Sequence, residues 1–283
     1  MTQLAAISPT VLSSPLPSEP EAWAVAAPLS GIVARYIDVD RLGPAEMRIP
    51  MIGKSLVLVQ RGEGWTTDRH GNAGPALVMG PNEAPLRAHR IARCYRFVAA
   101  ELTTVGAFAL FGGALPQPLY HPLHAFVGRA SADSLVGRVR RAHSAAARAA
   151  ALESFLLSLC APATRRLRLR SVALAARFAQ LALAEPTPRV DALQRRMQVS
   201  GALLRRAMRQ TALTSPKLQL QSARRNRALA QLLSHPERSL TELAHRLDFH
   251  DQAHFTRAFK AYAGVAPSKL DRDRASLASW LLG

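Results

Sequence analysis

Two short stretches near the C-terminus combine residue types that recognise a polyanion. They are Ser200-Gly-Ala-Leu-Leu-Arg-Arg-Ala-Met-Arg-Gln-Thr211 and Asp251-Gln-Ala-His-Phe-Thr-Arg-Ala-Phe-Lys-Ala-Tyr262. Wound as helices, each divides by face. In the first, Leu204, Ala207, Met208 and Thr211 fall inward and Gly201, Ala202, Arg205, Arg206 and Arg209 outward. In the second, Phe255, Ala258, Phe259 and Tyr262 fall inward and Gln252, Ala253, Thr256, Arg257 and Lys260 outward. Small or polar residues at a helix start allow close approach to base edges, and the cations that follow reach bases or phosphates. This chemistry is recognition, with no bond made or broken. A helical bundle with a solvated basic face has the same periodicity, so one such stretch is a weak signal and two in one segment a stronger one.

The elements that would position these faces are legible around them. Val190–Met197 and Leu240–Leu247 are short amphipathic patterns, followed by breaks at Gln198-Val199 and Asp248-Phe249-His250. Ser200 and Asp251 then stand as N-caps for the outward-facing helices. Each unit is therefore expected to be a helix-turn-helix. Between them Pro216–Ser234 reads as one long helix carrying Arg224, Arg225 and Arg227 and bounded by His235-Pro236. Such a rod would hold two units roughly 34 Å, about one duplex turn, apart on one DNA face.

The stretch from Asp248 to Pro267, with its Phe249, Asp251, His254, Phe255, Arg257, Phe259, Gly264 and Pro267, resembles the signature of the AraC/XylS-type transcription regulators. The likeness covers roughly Arg189–Leu270 and includes Leu232-Leu233, Ser239-Leu240 and Glu242-Leu243-Ala244. It implies that Ala202, Arg205 and Arg206 in the first unit, and Gln252, Ala253, Thr256 and Arg257 in the second, face bases or backbone. We add Arg209 and Lys260 to these DNA-binding candidates for their place on the same faces. The chain departs from the family pattern in known places. Asp248 stands for the glycine before the second recognition helix, Gln198 for the glycine of the first turn, Met208 for a phenylalanine, and Leu213 for the glycine before Ser215-Pro216. Asp tolerates a left-handed backbone, whereas Leu213 at positive φ would be strained.

Charge supports the same partner. The 283 residues carry 37 Lys+Arg and 19 Asp+Glu, a formal net charge of +18. Residues 1–161 hold 15 basic against 11 acidic residues, while 162–283 hold 22 against 8. A segment with that excess seeks nucleic acid first and an anionic membrane surface second. Only four of the cations are Lys, a bias that codon usage explains equally well. The composition excludes collagen, a disulfide scaffold and a wholly disordered chain.

The rest of the chain reads as a different kind of structure. Residues 1–28, with five prolines, are expected to be a disordered leader. Ile32–Val39, Ser55–Gln60, Ala76–Met79 and Cys94–Ala100 are strand-like, with turn signals between them. Residues 103–130 are ambiguous. Ala132–Cys160 and Arg165–Glu185 read as helices. The resemblance implies that the β region, 29–130, is a cupin-like sensor or dimerisation domain. The fold class is then α+β: a cupin-like β domain, a helical connector over 131–186, an all-α double helix-turn-helix over 187–274, and a tail over 275–283. The apolar end Leu277–Leu282 would dock on the body or lie in an interface.

Enzymatic alternatives find little support. His70, His89, His121 and His124, with Glu63, Glu83 and Glu101, are the candidates for a metal cupin, yet no H-x-H-type cluster appears. No nucleophile elbow, P-loop or dinucleotide fingerprint is present. Trp65 and Tyr95 suit core packing better than a pocket. Cys94 and Cys160 lack zinc-finger spacing and read as reduced thiols. With no basic residue before Arg35 and no apolar run of membrane-spanning length, the chain is expected to be cytoplasmic. The expected function is sequence-specific binding of double-stranded promoter or operator DNA, without enzyme activity, cofactor or metal. RNA polymerase, a small-molecule effector and a second copy of the chain are further candidate partners. The rival readings are a nonspecific nucleoid-type DNA binder and, behind it, a cupin-type metal enzyme with a helical accessory domain.

Overall fold

The computed structural model describes residues 23–39, 46–47, 55–61, 75–79, 89–90, 96–113, 120–185, 187–212, 214–235, 237–263 and 266–269. Its strands are β1 (Val33–Val39), β2 (Glu46–Met47), β3 (Ser55–Gln60), β4 (Ala76–Met79), β5 (His89–Arg90), β6 (Phe97–Leu102) and β7 (Tyr120–Pro122). Five of them form one sheet in the order β1-β6-β3-β4-β7, every neighbouring pair antiparallel. The short strands β2 and β5 pair separately.

The two central strands, β3 and β6, are buried at every residue. Such strands read as continuous apolar runs, without the alternation of a half-wet sheet, which is why Leu56-Val-Leu-Val59 and Phe97-Val-Ala-Ala100 stand out in the sequence. On one face, Val57, Val59, Val98 and Ala100 join a core built from helices that follow the sheet.

Those helices are α1 (Gly106–Phe111), α2 (His124–Val127), α3 (Arg129–Arg141), α4 (Ala145–Ser158), α5 (Cys160–Leu167) and α6 (Arg170–Ala184). The single helix expected over Ala132–Cys160 is in fact two. Ser144 adopts an extended backbone and its Oγ accepts from the Ala147 amide at 3.1 Å, starting α4 afresh. The helix expected over Arg165–Glu185 likewise divides at Arg168-Leu169. The ambiguous segment before them contributes α1. Its Gly106 lies so close to β1 that a Cβ there would sit 2.1 Å from the Ile32 carbonyl oxygen, so glycine is required.

Polar contacts pin α4 to the sheet. The Arg148 guanidinium is buried and donates from Nε and Nη2 to the two oxygens of Asp38 at 2.8 and 2.7 Å. Arg61 lies 3.6 Å from the same carboxylate. The Tyr36 hydroxyl and the Ala26 amide both donate to Glu153 Oε1, at 3.2 and 2.9 Å. Burial and the neighbouring Glu153 push the Tyr36 pKa well up, so the hydroxyl remains a proton donor.

The C-terminal helices are α7 (Val190–Met197), α8 (Gly201–Thr211), α9 (Pro216–Ser234), α10 (Leu240–Arg246) and α11 (Gln252–Ala263). No strand occurs among the described residues after β7. No single described helix is long and apolar enough to cross a membrane. The expectations for residues 1–22, Cys94 and the apolar end Leu277–Leu282 lie outside the described residues.

Removing one partner of a buried ion pair strands the other charge. Arg148→Met is expected to lower the unfolding free energy by about 3–5 kcal/mol, measured by urea denaturation.

Candidate nucleic-acid interface

Each recognition face rests on a turn whose backbone the sequence sets locally. Gln198 ends α7 in the left-handed conformation, with φ 55° and ψ 43°. The chain then turns at Val199, and the Ser200 Oγ accepts from the Leu203 amide at 3.2 Å to start α8. In the second unit Asp248 has φ 58°, and Asp251 Oδ1 accepts from the His254 amide at 2.6 Å. That amide, together with the His250 imidazole 3.1 Å away, holds the Asp251 carboxyl below the usual carboxylate range. Asp248 and Gln198 thus stand left-handed where the family pattern has glycine. The strain expected at Leu213 lies outside the described residues.

The inward faces make two cores. Leu204, Ala207, Met208 and Thr211 of α8 are all buried, and the Thr211 hydroxyl is satisfied by the Ala207 carbonyl at 2.8 Å. Leu204 and Met208 share a core with Leu193 and Met197 of α7 and Leu220 of α9. Phe255 and Phe259 of α11 pack with Leu243, Ala244, Leu247 and Phe249, against Ala228 and Leu229 of α9. Helix α9 therefore contributes its first half to one core and its second half to the other.

The outward faces stay open. Ala202, Arg205, Arg206 and Arg209 are exposed, as are Gln252, Ala253, Arg257 and Lys260. Thr256 is only half-buried, closer to the core than the other members of its face. Gln252 is tied down, because its Oε1 accepts from the Thr241 hydroxyl at 2.8 Å. Its amide nitrogen keeps two hydrogens for another acceptor. Among the described residues Arg205, Arg206, Arg209 and Lys260 make no ion pair, so their charge faces solvent.

Three features were not visible in the sequence pattern. Arg224, which counts toward the basic segment, donates to the Asp248 carbonyl and carboxylate at 3.4 Å and lies 5.6 Å above the Phe249 ring. It props the left-handed turn before α11. Arg227 donates to the carbonyls of Ala182 and Leu183 at 2.6 and 2.9 Å, capping the C-terminus of α6. Burial, and then the neighbouring Arg224, lowers its pKa. The third is α6 itself. Val172, Ala175, Phe178 and Ala182 lie in the core of the first unit, with Phe178 fully buried. The only sequence signal for this is the 3-4 spacing of those four residues.

The metal candidates fare differently. Glu101 is engaged by Arg35, whose Nε donates to its Oε2 at 2.8 Å. His70, Glu63 and Glu83, together with Trp65 and Tyr95, fall outside the described residues. Among the described residues no three His, Cys, Asp or Glu side chains cluster as a metal site would require.

Residues 193–273 match a family model described as a helix-turn-helix domain. No curated protein matches the chain. Among solved structures the chain is similar to ToxT from Vibrio cholerae, at 10% identity and TM-score 0.45 over 85% of this chain and 96% of that one. A ToxT structure with bound unsaturated fatty acid matches at 12% identity and TM-score 0.44 over 84% and 93%. A DNA-binding transcriptional dual regulator from Escherichia coli matches at 22% identity and TM-score 0.32, over 37% of this chain and 93% of that one.

Phe178→Ala removes a ring from a closed core, and is expected to cost about 3–5 kcal/mol, read by denaturant unfolding. Gln198→Gly relieves a non-glycine left-handed backbone, and is expected to raise stability by about 1 kcal/mol in the same measurement. Two capped helix pairs, two closed cores and the family match agree: residues 193–273 are a helix-turn-helix domain.

Proposed function

We propose that the chain is a sequence-specific transcription regulator that acts by binding promoter or operator DNA and catalyses no reaction. The observation that carries this reading is the pair of capped helices, α8 and α11, whose apolar faces are buried while their small and cationic faces stand in solvent. Ala202 and Arg205 lie in the N-terminal turns of α8, as Gln252 and Ala253 do in α11. Those are the turns that meet base edges when a recognition helix enters a major groove. Arg206, Arg209 and Lys260 follow as phosphate or base contacts. Helix α9 has 19 residues and is therefore about 28 Å long. A rod of that length, serving both cores, suits two units in successive major grooves.

The functional unit is proposed to begin near Leu169, because α6 supplies part of the core on which α8 rests. The preceding sheet and helices would form a sensor or pairing domain, with RNA polymerase and a second copy of the chain as further partners. The expected compartment is the cytoplasm.

The test is selection from random duplex DNA at near-physiological salt, with the full chain and with residues 169–274. Enrichment of a bipartite motif with half-sites about one turn apart supports two reading units. Tight, salt-sensitive binding with no enriched sequence would overturn specificity and leave a nonspecific binder. On the selected site, Arg257→Ala is expected to cost about 1–3 kcal/mol. A loss confined to the cognate sequence means Arg257 reads a base. An equal loss on all sequences, with a shallower salt slope, means it holds a phosphate.

A further inference from the structure

The two helices of the second unit are joined by one side-chain bond on their open side. Thr241, in the first turn of α10, donates its hydroxyl to Oε1 of Gln252, the first residue of α11, at 2.8 Å. Both residues are exposed, so the bond is separate from the aromatic core that holds the unit together. A neutral bond in water adds little to stability. Its consequence is for the carboxamide that α11 presents.

A glutamine free to turn can offer either end of its amide. It reads adenine by donating from Nε2 to N7 while Oε1 accepts from the N6 amino group. That reading requires the oxygen in the groove. In this protein Oε1 is held against α10, and Nε2 diverges from it about the same planar carbon, away from Thr241. What remains for a base is a pair of N–H donors. Guanine alone presents two major-groove acceptors, O6 and N7. Adenine sets an amino donor beside its N7, thymine offers the single acceptor O4, and cytosine presents a donor. Nothing else in that turn competes for the same edge. Ala253 has no polar side-chain atom, and the two Asp251 oxygens are engaged by the His254 amide and the His250 imidazole.

We propose that Thr241 determines specificity in the second unit: by holding Oε1 it makes Gln252 a donor-only reader of guanine in a G·C pair. The proposal rests on the regulator reading above and names the base at one position of its second half-site. Thr241 acts through Gln252 and is therefore a positioning residue. Because the amide is oriented before DNA arrives, less side-chain freedom is lost on binding.

The test uses the full chain and the selected duplex, with affinities read by fluorescence anisotropy. Gln252→Ala identifies the base pair concerned, as the position whose preference disappears. At that pair the wild type is expected to favour G·C over A·T by about five-fold or more, the lower end of what one bidentate contact discriminates. Replacing the guanine with 7-deazaguanine, which keeps O6 and lacks N7, is expected to remove most of that preference. Thr241→Val deletes the hydroxyl, keeps the branched side chain and frees the amide to turn. Its ratio of G·C to A·T affinity is expected to fall by about five-fold or more, while preferences elsewhere in the motif and the melting temperature hold. Thr241→Ser is expected to keep the wild-type ratio. A loss spread evenly over all positions in Thr241→Val would make the bond merely structural and overturn the proposal. Preference for A·T in the wild type, indifference to 7-deazaguanine, an unchanged ratio in Thr241→Val, or no position lost in Gln252→Ala would each overturn it too. All of these leave the regulator reading standing. No enriched motif for the wild type would instead overturn specific recognition itself, and the proposal with it.

Discussion

The first recognition helix, α8, hangs on one apolar core, the one that closes around Phe178. It draws Val172, Ala175 and Ala182 from the same helix, Leu193 and Met197 from α7, Leu204 and Met208 from α8, and Leu220 from α9. Val105, from the segment between β6 and α1, is buried in it as well. The core thus sets how α8 presents its arginines, and it ties that presentation to the β region through a few side chains. Interiors are close-packed and respond to displacement by repacking.

Net charge needs discounting by structure before it becomes an argument about DNA. Arg148, Arg166, Arg224 and Arg227 all count toward the total of 37 cations, yet each bonds within the protein. Arg166 and Arg227 do the same task in two places, donating to the unpaired carbonyls at the end of a helix. On α8 and α11 the cations Arg205, Arg206, Arg209, Arg257 and Lys260 stand exposed on the outward faces. The placement of the excess matters more to recognition than its size.

The turns show how local chemistry and global packing divide the work. A left-handed residue before each recognition helix would ordinarily be glycine, and here is Gln198 in one unit and Asp248 in the other. Asp248 is compensated, since Arg224 grips both its carbonyl and its carboxylate. The Gln198 amide closes back on α7 in the usual way for a left-handed cap, and no side-chain bond comparable to that at Asp248 is present there among the described residues. The two units are built to one plan with different support at the turn.

Helix periodicity, caps and the fully apolar central strands were legible residue by residue. Val190–Met197, Pro216–Ser234 and Ser55–Gln60 each form the element their pattern predicts, with the same bounds. Faces of α8 and α11 were legible too, because a 3.6-residue repeat separates Leu204 and Met208 from Arg205 and Arg209 without reference to any partner. What the pattern could not carry was anything depending on a contact distant in sequence. The break at Ser144 hid in an alanine-rich run that favours helix on either side. The membership of α6 in the first unit depends on which surface meets Phe178, and amphipathicity names a buried face without naming its neighbour. The roles of Arg166, Arg224 and Arg227 were equally closed to the sequence. A guanidinium has the same composition whether it meets a phosphate, a carbonyl or a carboxylate, and only the tertiary structure decides which acceptor lies within its reach.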